Sequence, residues 1–73
     1  MTLDELAPGE QAAVREIRSG PGKRRLEELG LTPGTAVTAL RVSPSGDPVA
    51  YAFRGAVVAL RRTDARSIEI KGR

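Results

Sequence analysis

The stretch LEELGLTPGTAV, residues 26–37, sets two glycines and a proline within five consecutive positions between two apolar segments. With Gly30 as the left-handed residue after a helix, Leu31 becomes C″ and Leu26 becomes C3, the apolar pair that accompanies a Schellman ending. Thr32-Pro33-Gly34-Thr35 then has the chemistry of a type II turn. Proline presets φ at its second position, and glycine accepts φ > 0 at its third. The two devices in succession predict a rigid elbow in which Gly30, Pro33 and Gly34 fix the angle between a short helix and a strand.

Upstream, Lys23 to Leu29 reads as that helix, with Leu26 and Leu29 on one face. Ser19 to Gly22, SGPG, is a loop. Gln11 to Arg18, with β-branched Val14 and Ile17, reads as a strand of imperfect alternation. Ala7-Pro8-Gly9-Glu10 is a second type II turn, and it stops an opening helical turn in which Thr2 and Glu5 match a capping box.

Downstream, Ala36 to Val42 is a strand. Val37, Leu40 and Val42 do not share one parity, which calls for a bulge or for burial on both faces. SPSGDP is a turn. Val49, Tyr51 and Phe53 alternate with Ala50, Ala52 and Arg54, the clearest period-2 signal in the chain. Gly55 permits a tight hairpin into Ala56–Arg61, where Val58 and Leu60 face one way. Thr63-Asp64-Ala65 suggests a helical turn capped by Thr63 or Asp64, and Ile68 and Ile70 mark a last short strand. Five short strands in so small a chain cannot build a sandwich, so they are expected to bury their shared face by curling into an antiparallel barrel. The expected fold is mainly β, with one short helix after the first strand and a helical turn at the N-terminus.

The chain has 73 residues, enough for one domain, 1–73, with one small core. It has no cysteine and no histidine, which removes disulfides, thiol chemistry and nearly every transition-metal ligand set. No run reaches the roughly 20 apolar residues of a membrane span, and the polar, acidic N-terminus is unlike a secretory signal. A cytoplasmic protein without membrane insertion is therefore expected. The formal net charge of +3 is modest, and one Tyr and one Phe leave no stacking platform for single-stranded nucleic acid.

The candidate functional residues are few. Lys23, Arg24 and Arg25 put three cations at the start of a helix, where the dipole favours anions. They are either a solvated face or a docking patch for an acidic partner. Arg61, Arg62 and Arg66 form a second basic group, read as solvated charge or as a phosphate contact. SGPG invites a phosphate-loop reading, but Gly22-Lys23 is followed by Arg24 where Ser or Thr is required. The acids Asp4, Glu5, Glu27, Glu28, Asp47, Asp64 and Glu69 are scattered, so no dedicated iron site is expected. Leu26, Leu29 and Leu31 belong to the core or to a contact surface, since a seven-residue helix seldom buries both sides. No acid–base or nucleophile constellation is present, so an enzyme is not expected.

Three blocks carry a resemblance to a known family: TLDELAPGE, RRLEELGLTPGTAV and GDPVAYAFRGAVVALRRTDARSIEI. With their connections they cover nearly the whole chain, which resembles the FeoA family of small cytosolic proteins of bacterial ferrous iron uptake. That resemblance implies an SH3-like barrel and a non-enzymatic accessory role through FeoB, the membrane iron transporter with a cytosolic GTP-binding domain. It also implies that ferrous iron is handled by the transporter, with no cofactor bound tightly here. The partner surface expected on this basis is Lys23, Arg24, Arg25, Leu26, Leu29 and Leu31, with Gly30, Pro33, Gly34 and Gly55 as structural turns. Two positions depart from the family pattern: Leu29 stands where methionine is frequent, and Ala56 where a larger, often aromatic residue is usual. Because the family's barrel also forms the C-terminal domain of some metal-dependent repressors, the alternative is a nucleic-acid-associated barrel or a detached repressor domain. Met1 opens the barrel directly, so a stand-alone protein is the expectation.

Overall fold

The computed structural model describes residues 1–71. Its elements are a 3-10 turn (Leu3–Glu5), β1 (Gln11–Ile17), α1 (Lys23–Glu28), β2 (Ala36–Val42), β3 (Val49–Phe53), β4 (Ala56–Leu60), α2 (Arg62–Ala65) and β5 (Ile68–Lys71). The strands form one antiparallel sheet in the order β4-β3-β2-β1-β5. It wraps around one core to which every strand contributes, including Val14, Val37, Tyr51, Leu60 and Ile68. Among the described residues no ladder joins β4 to β5, and the sheet's two ends are connected through α2.

Two bulges explain the broken alternation. In β1 the register against β5 shifts between Val14 and Glu16, so the buried set passes from Ala12 and Val14 to Ile17. In β2 it shifts between Ala39 and Arg41, which leaves Leu40 outside the core at 40% exposure while Val37 and Ala39 are buried. Of the two explanations open for β2, the bulge is the one realised.

The tight turns follow their residue chemistry. The Glu10 N–H donates to the Ala7 carbonyl at 2.9 Å with Gly9 at φ +90°, and the Thr35 N–H donates to the Thr32 carbonyl at 3.1 Å with Gly34 at φ +93°. Glu5 closes its half of the capping box by accepting from the Thr2 N–H at 2.7 Å. The β3–β4 hairpin turns on Arg54-Gly55 alone, both at positive φ, which is the type I′ geometry that matches strand twist.

Some boundaries differ from expectation. Helix α1 ends at Glu28 with Leu29 as its cap, and β4 ends at Leu60. Neither Thr63 nor Asp64 caps α2, whose N-cap is Arg61. The capping acceptor comes instead from the β2–β3 turn, where Asp47 Oδ1 accepts from the Arg62 N–H at 3.0 Å. A carboxylate already held beside that N–H makes a local cap redundant.

Candidate functional site

The elbow is built from backbone upward. The Gly30 N–H donates to the Glu27 carbonyl at 3.0 Å and the Leu31 N–H to the Leu26 carbonyl at 3.2 Å, with Gly30 at φ +106°. This is the two-bond Schellman pattern, and its apolar pair, Leu26 and Leu31, is wholly buried. Beyond it, the type II turn is tied to β1, since the Gly34 N–H donates to the Val14 carbonyl and the Val14 N–H donates to the Thr35 carbonyl, each at 2.8 Å. Helix, turn and strand thus share one hydrogen-bonded corner.

A residue that the sequence reading left without a role closes this corner. From the tip of the β3–β4 hairpin, Arg54 Nε donates to the Gly30 carbonyl at 2.9 Å. Its Nη2 donates to Thr32 Oγ1 at 3.0 Å and Thr35 Oγ1 at 3.1 Å. The buried Thr35 hydroxyl donates in turn to the same Gly30 carbonyl at 3.1 Å. Glycine suits this position by its φ, and a Cβ here would stand 2.9 Å from Arg54 Cδ, so a larger residue would also have to push the arginine side chain aside. The only sequence signal was that Arg54-Gly55 forms a turn; where the guanidinium goes depends on a contact 24 residues away.

The residues expected to face a partner divide into three groups. Leu26 and Leu31 lie in the core at 0% exposure, which corrects their assignment as contact anchors: they hold the elbow from within. Arg25 is partly committed, its Nη2 donating to Asp64 Oδ2 at 2.8 Å and so pinning α1 to α2. Of the expected residues, Lys23, half-buried, Arg24, with a 91% exposed side chain, and the cap residue Leu29, 38% exposed, face outward, beside the exposed Glu27 and Glu28. Arg24 meets Glu28 at 3.9 Å, a surface pair worth a few tenths of a kcal/mol, or about 0.3.

The second basic group is also dispersed. Arg62 turns inward, its Nε donating to the Gly46 carbonyl at 2.7 Å, while Arg66 approaches Asp4 at 3.6 Å and Arg61 is exposed. Nor do the acids converge. Asp4 pairs with Arg66, Asp47 caps α2, Asp64 holds Arg25, and Glu69 pairs with Arg18 and the N-terminal ammonium. Arg18 hydrogen-bonds Glu69 and holds its carboxyl below the usual carboxylate range. Burial pushes the Tyr51 hydroxyl up, and that group donates to the Leu3 carbonyl at 3.4 Å.

Sequence reasoning also missed an open groove of about 480 Å³ on the outer face of β2–β4, lined mainly by Arg41, Pro44, Pro48, Ala50, Val57 and Ala59. Its floor is apolar because Ala50 and Ala59 are paired neighbours on that face.

The FeoA domain family model matches residues 1–72. A curated relative, the Fe(2+) transport protein A/Fe(2+) transporter FeoB fusion protein of Porphyromonas gingivalis, is 36% identical over 72 residues. That alignment takes in 97% of this chain and 8% of the fusion protein, so the chain spans under a tenth of this relative's length. The solution structure of the FeoA protein from Chlorobium tepidum is 37% identical, with a TM-score of 0.87 over 96% of this chain and 68% of that one. The zinc-complexed FeoA of Stenotrophomonas maltophilia, described as a prokaryotic SH3 domain protein, is 29% identical, with a TM-score of 0.87 over 97% of this chain and 89% of that one.

Proposed function

On the premise that this chain belongs to the FeoA domain family, we propose that it is a non-enzymatic accessory domain of ferrous iron transport that binds the cytosolic region of an FeoB-type transporter. The observation that carries the reading is the fusion relative, in which a matching domain and FeoB share one chain. Joining two modules covalently raises their effective concentration to roughly millimolar, an arrangement that serves modules which touch.

The contact face on this reading is the outward surface of α1: Lys23, Arg24 and Leu29, with Arg25 at its edge. Such a surface suits docking on an acidic patch, one leucine seated and the cations forming a polar rim. The elbow and the Arg54 clamp hold that face at a set angle, so little ordering remains to be done on binding. Iron itself is carried by the transporter; with no His or Cys in the chain, the domain acts through contact. No helix of the described residues is long and apolar enough to cross a membrane, and the domain works from the cytosolic side.

Co-expression of the tagged chain with the soluble cytosolic region of the FeoB-type transporter from the same organism tests the reading. The two should co-purify at fixed stoichiometry and separate as salt rises. Failure to co-purify at low salt, with both partners folded, would overturn it.

A further inference from the structure

Strand β4 is an edge that no other part of the described chain covers. At the sheet's opposite edge, Thr2 bridges to Glu69, and the Ile70 N–H donates to the Met1 carbonyl at 2.9 Å, so the amino terminus shelters β5. No comparable cover lies along β4 among the described residues. Its sequence, Ala56-Val57-Val58-Ala59-Leu60, carries no charge and no proline, and its five pairs with β3 run without a bulge. Charges, prolines and bulges are the devices by which folded proteins keep foreign strands off an edge.

The register identifies the free groups. In a two-residue hairpin the pair flanking the turn exchanges both hydrogen bonds, and bonded and non-bonded pairs alternate from there. Phe53–Ala56, Tyr51–Val58 and Val49–Leu60 are therefore the bonded pairs. The N–H and C=O groups of Val57 and Ala59 point away from β3, and no backbone hydrogen bond to them comes from elsewhere in the described chain. The side chains of the same two residues line the outer groove, where Val57 is 63% exposed.

Charge narrows the occupant. Arg41 lies across the groove in the row Arg41–Ala50–Ala59, and exposed Arg61 follows the strand's end on the same parity as Val57 and Ala59. Neither has a carboxylate partner among the described residues, and no acidic side chain lines the groove. We propose that β4 accepts an extended segment of another protein as a sixth strand, bonded to Val57 and Ala59, in which apolar residues alternate and at least one carboxylate lies toward Arg41 and Arg61. A second copy of this chain fits less well. Its β4 has no carboxylate to offer, and pairing would gather four unpaired arginines from two molecules of formal net charge +3 each. The inference is independent of the transporter reading, which concerns α1.

The test titrates the isotope-labelled full chain with blocked seven-residue peptides that alternate Val, Ile or Leu with Thr and carry one Glu, followed by NMR. At saturation, amide exchange of Val57 and Ala59 should slow at least tenfold, with shift changes confined to β4 and the groove. Methylating alternate peptide amides, or replacing Arg41 and Arg61 with Glu, should raise the dissociation constant at least tenfold. Val57→Glu, a change at an exposed position expected to leave melting unaltered, should do the same by setting a like charge beside the peptide's carboxylate. The proposal is overturned if no peptide perturbs β4 at millimolar concentration, or if the methylated peptides bind equally well. It is also overturned if Val57 and Ala59 become protected with rising protein concentration alone, which would make the occupant a second copy.

Discussion

Arg54 occupies a conformation that costs a side-chain-bearing residue about 1 kcal/mol, at φ +51°, and holds it while its guanidinium spans the elbow. Asparagine suits that backbone but cannot span the gap, so Arg54→Asn removes the clamp while keeping the turn. We expect a loss of about 1–2 kcal/mol by chemical denaturation, below the sum of three charge-assisted bonds because the site is open to water. Gly30→Ala should cost more than about 1 kcal/mol, from positive φ and from the 2.9 Å approach to Arg54 Cδ. Combined, the two changes should cost less than their sum, because truncating Arg54 clears the space that the new Cβ needs. Strict additivity would show that the clash is not felt. These two positions also mark the border of what the sequence disclosed. Gly30 was legible because the Schellman bonds that demand its φ span at most five residues, whereas Arg54 was not, because its partners are brought together only by the closed fold.

At the scale of elements, the same border recurs. Turns, hairpin and helix ending were readable because proline, glycine and capping residues act through bonds only a few residues long. The cap of α2 was not, because its acceptor sits 15 residues upstream. Asp47→Ala should therefore destabilise the protein by about 1 kcal/mol and Asp47→Asn by less, measured by thermal melting. The pairing of β1 with β5 carries a pH signature. Glu69 is held below its ordinary value chiefly by the Arg18 hydrogen bond, so folding favours its ionised form. That contribution is complete above the unfolded carboxylate value and is lost as pH falls through the lower folded one. Melting temperature followed down the acid limb should drop less steeply for Glu69→Gln than for the parent chain. Equal slopes would remove Glu69 from the acid transition.

For the whole molecule, a small curled sheet presents two surfaces on different sides of its residue inventory: a cationic helix face set by the elbow, and an apolar edge with its groove. The sequence made the first visible as a charge run, yet left Leu26 and Leu31 open between core and contact surface, because local pattern does not say which side of a short helix and its elbow the sheet covers. Burial has since reduced the proposed face to Lys23, Arg24 and Leu29, with Arg25 tied to Asp64. The most direct test is calorimetric titration of the transporter's cytosolic region with the parent chain and with Lys23→Ala/Arg24→Ala, each melted in parallel. The account predicts a melting temperature unchanged or slightly raised, since two cations are removed from the positive end of a helix, together with affinity at least tenfold weaker. Equal affinity for the two proteins, with equal melting, would contradict it and move the contact away from α1.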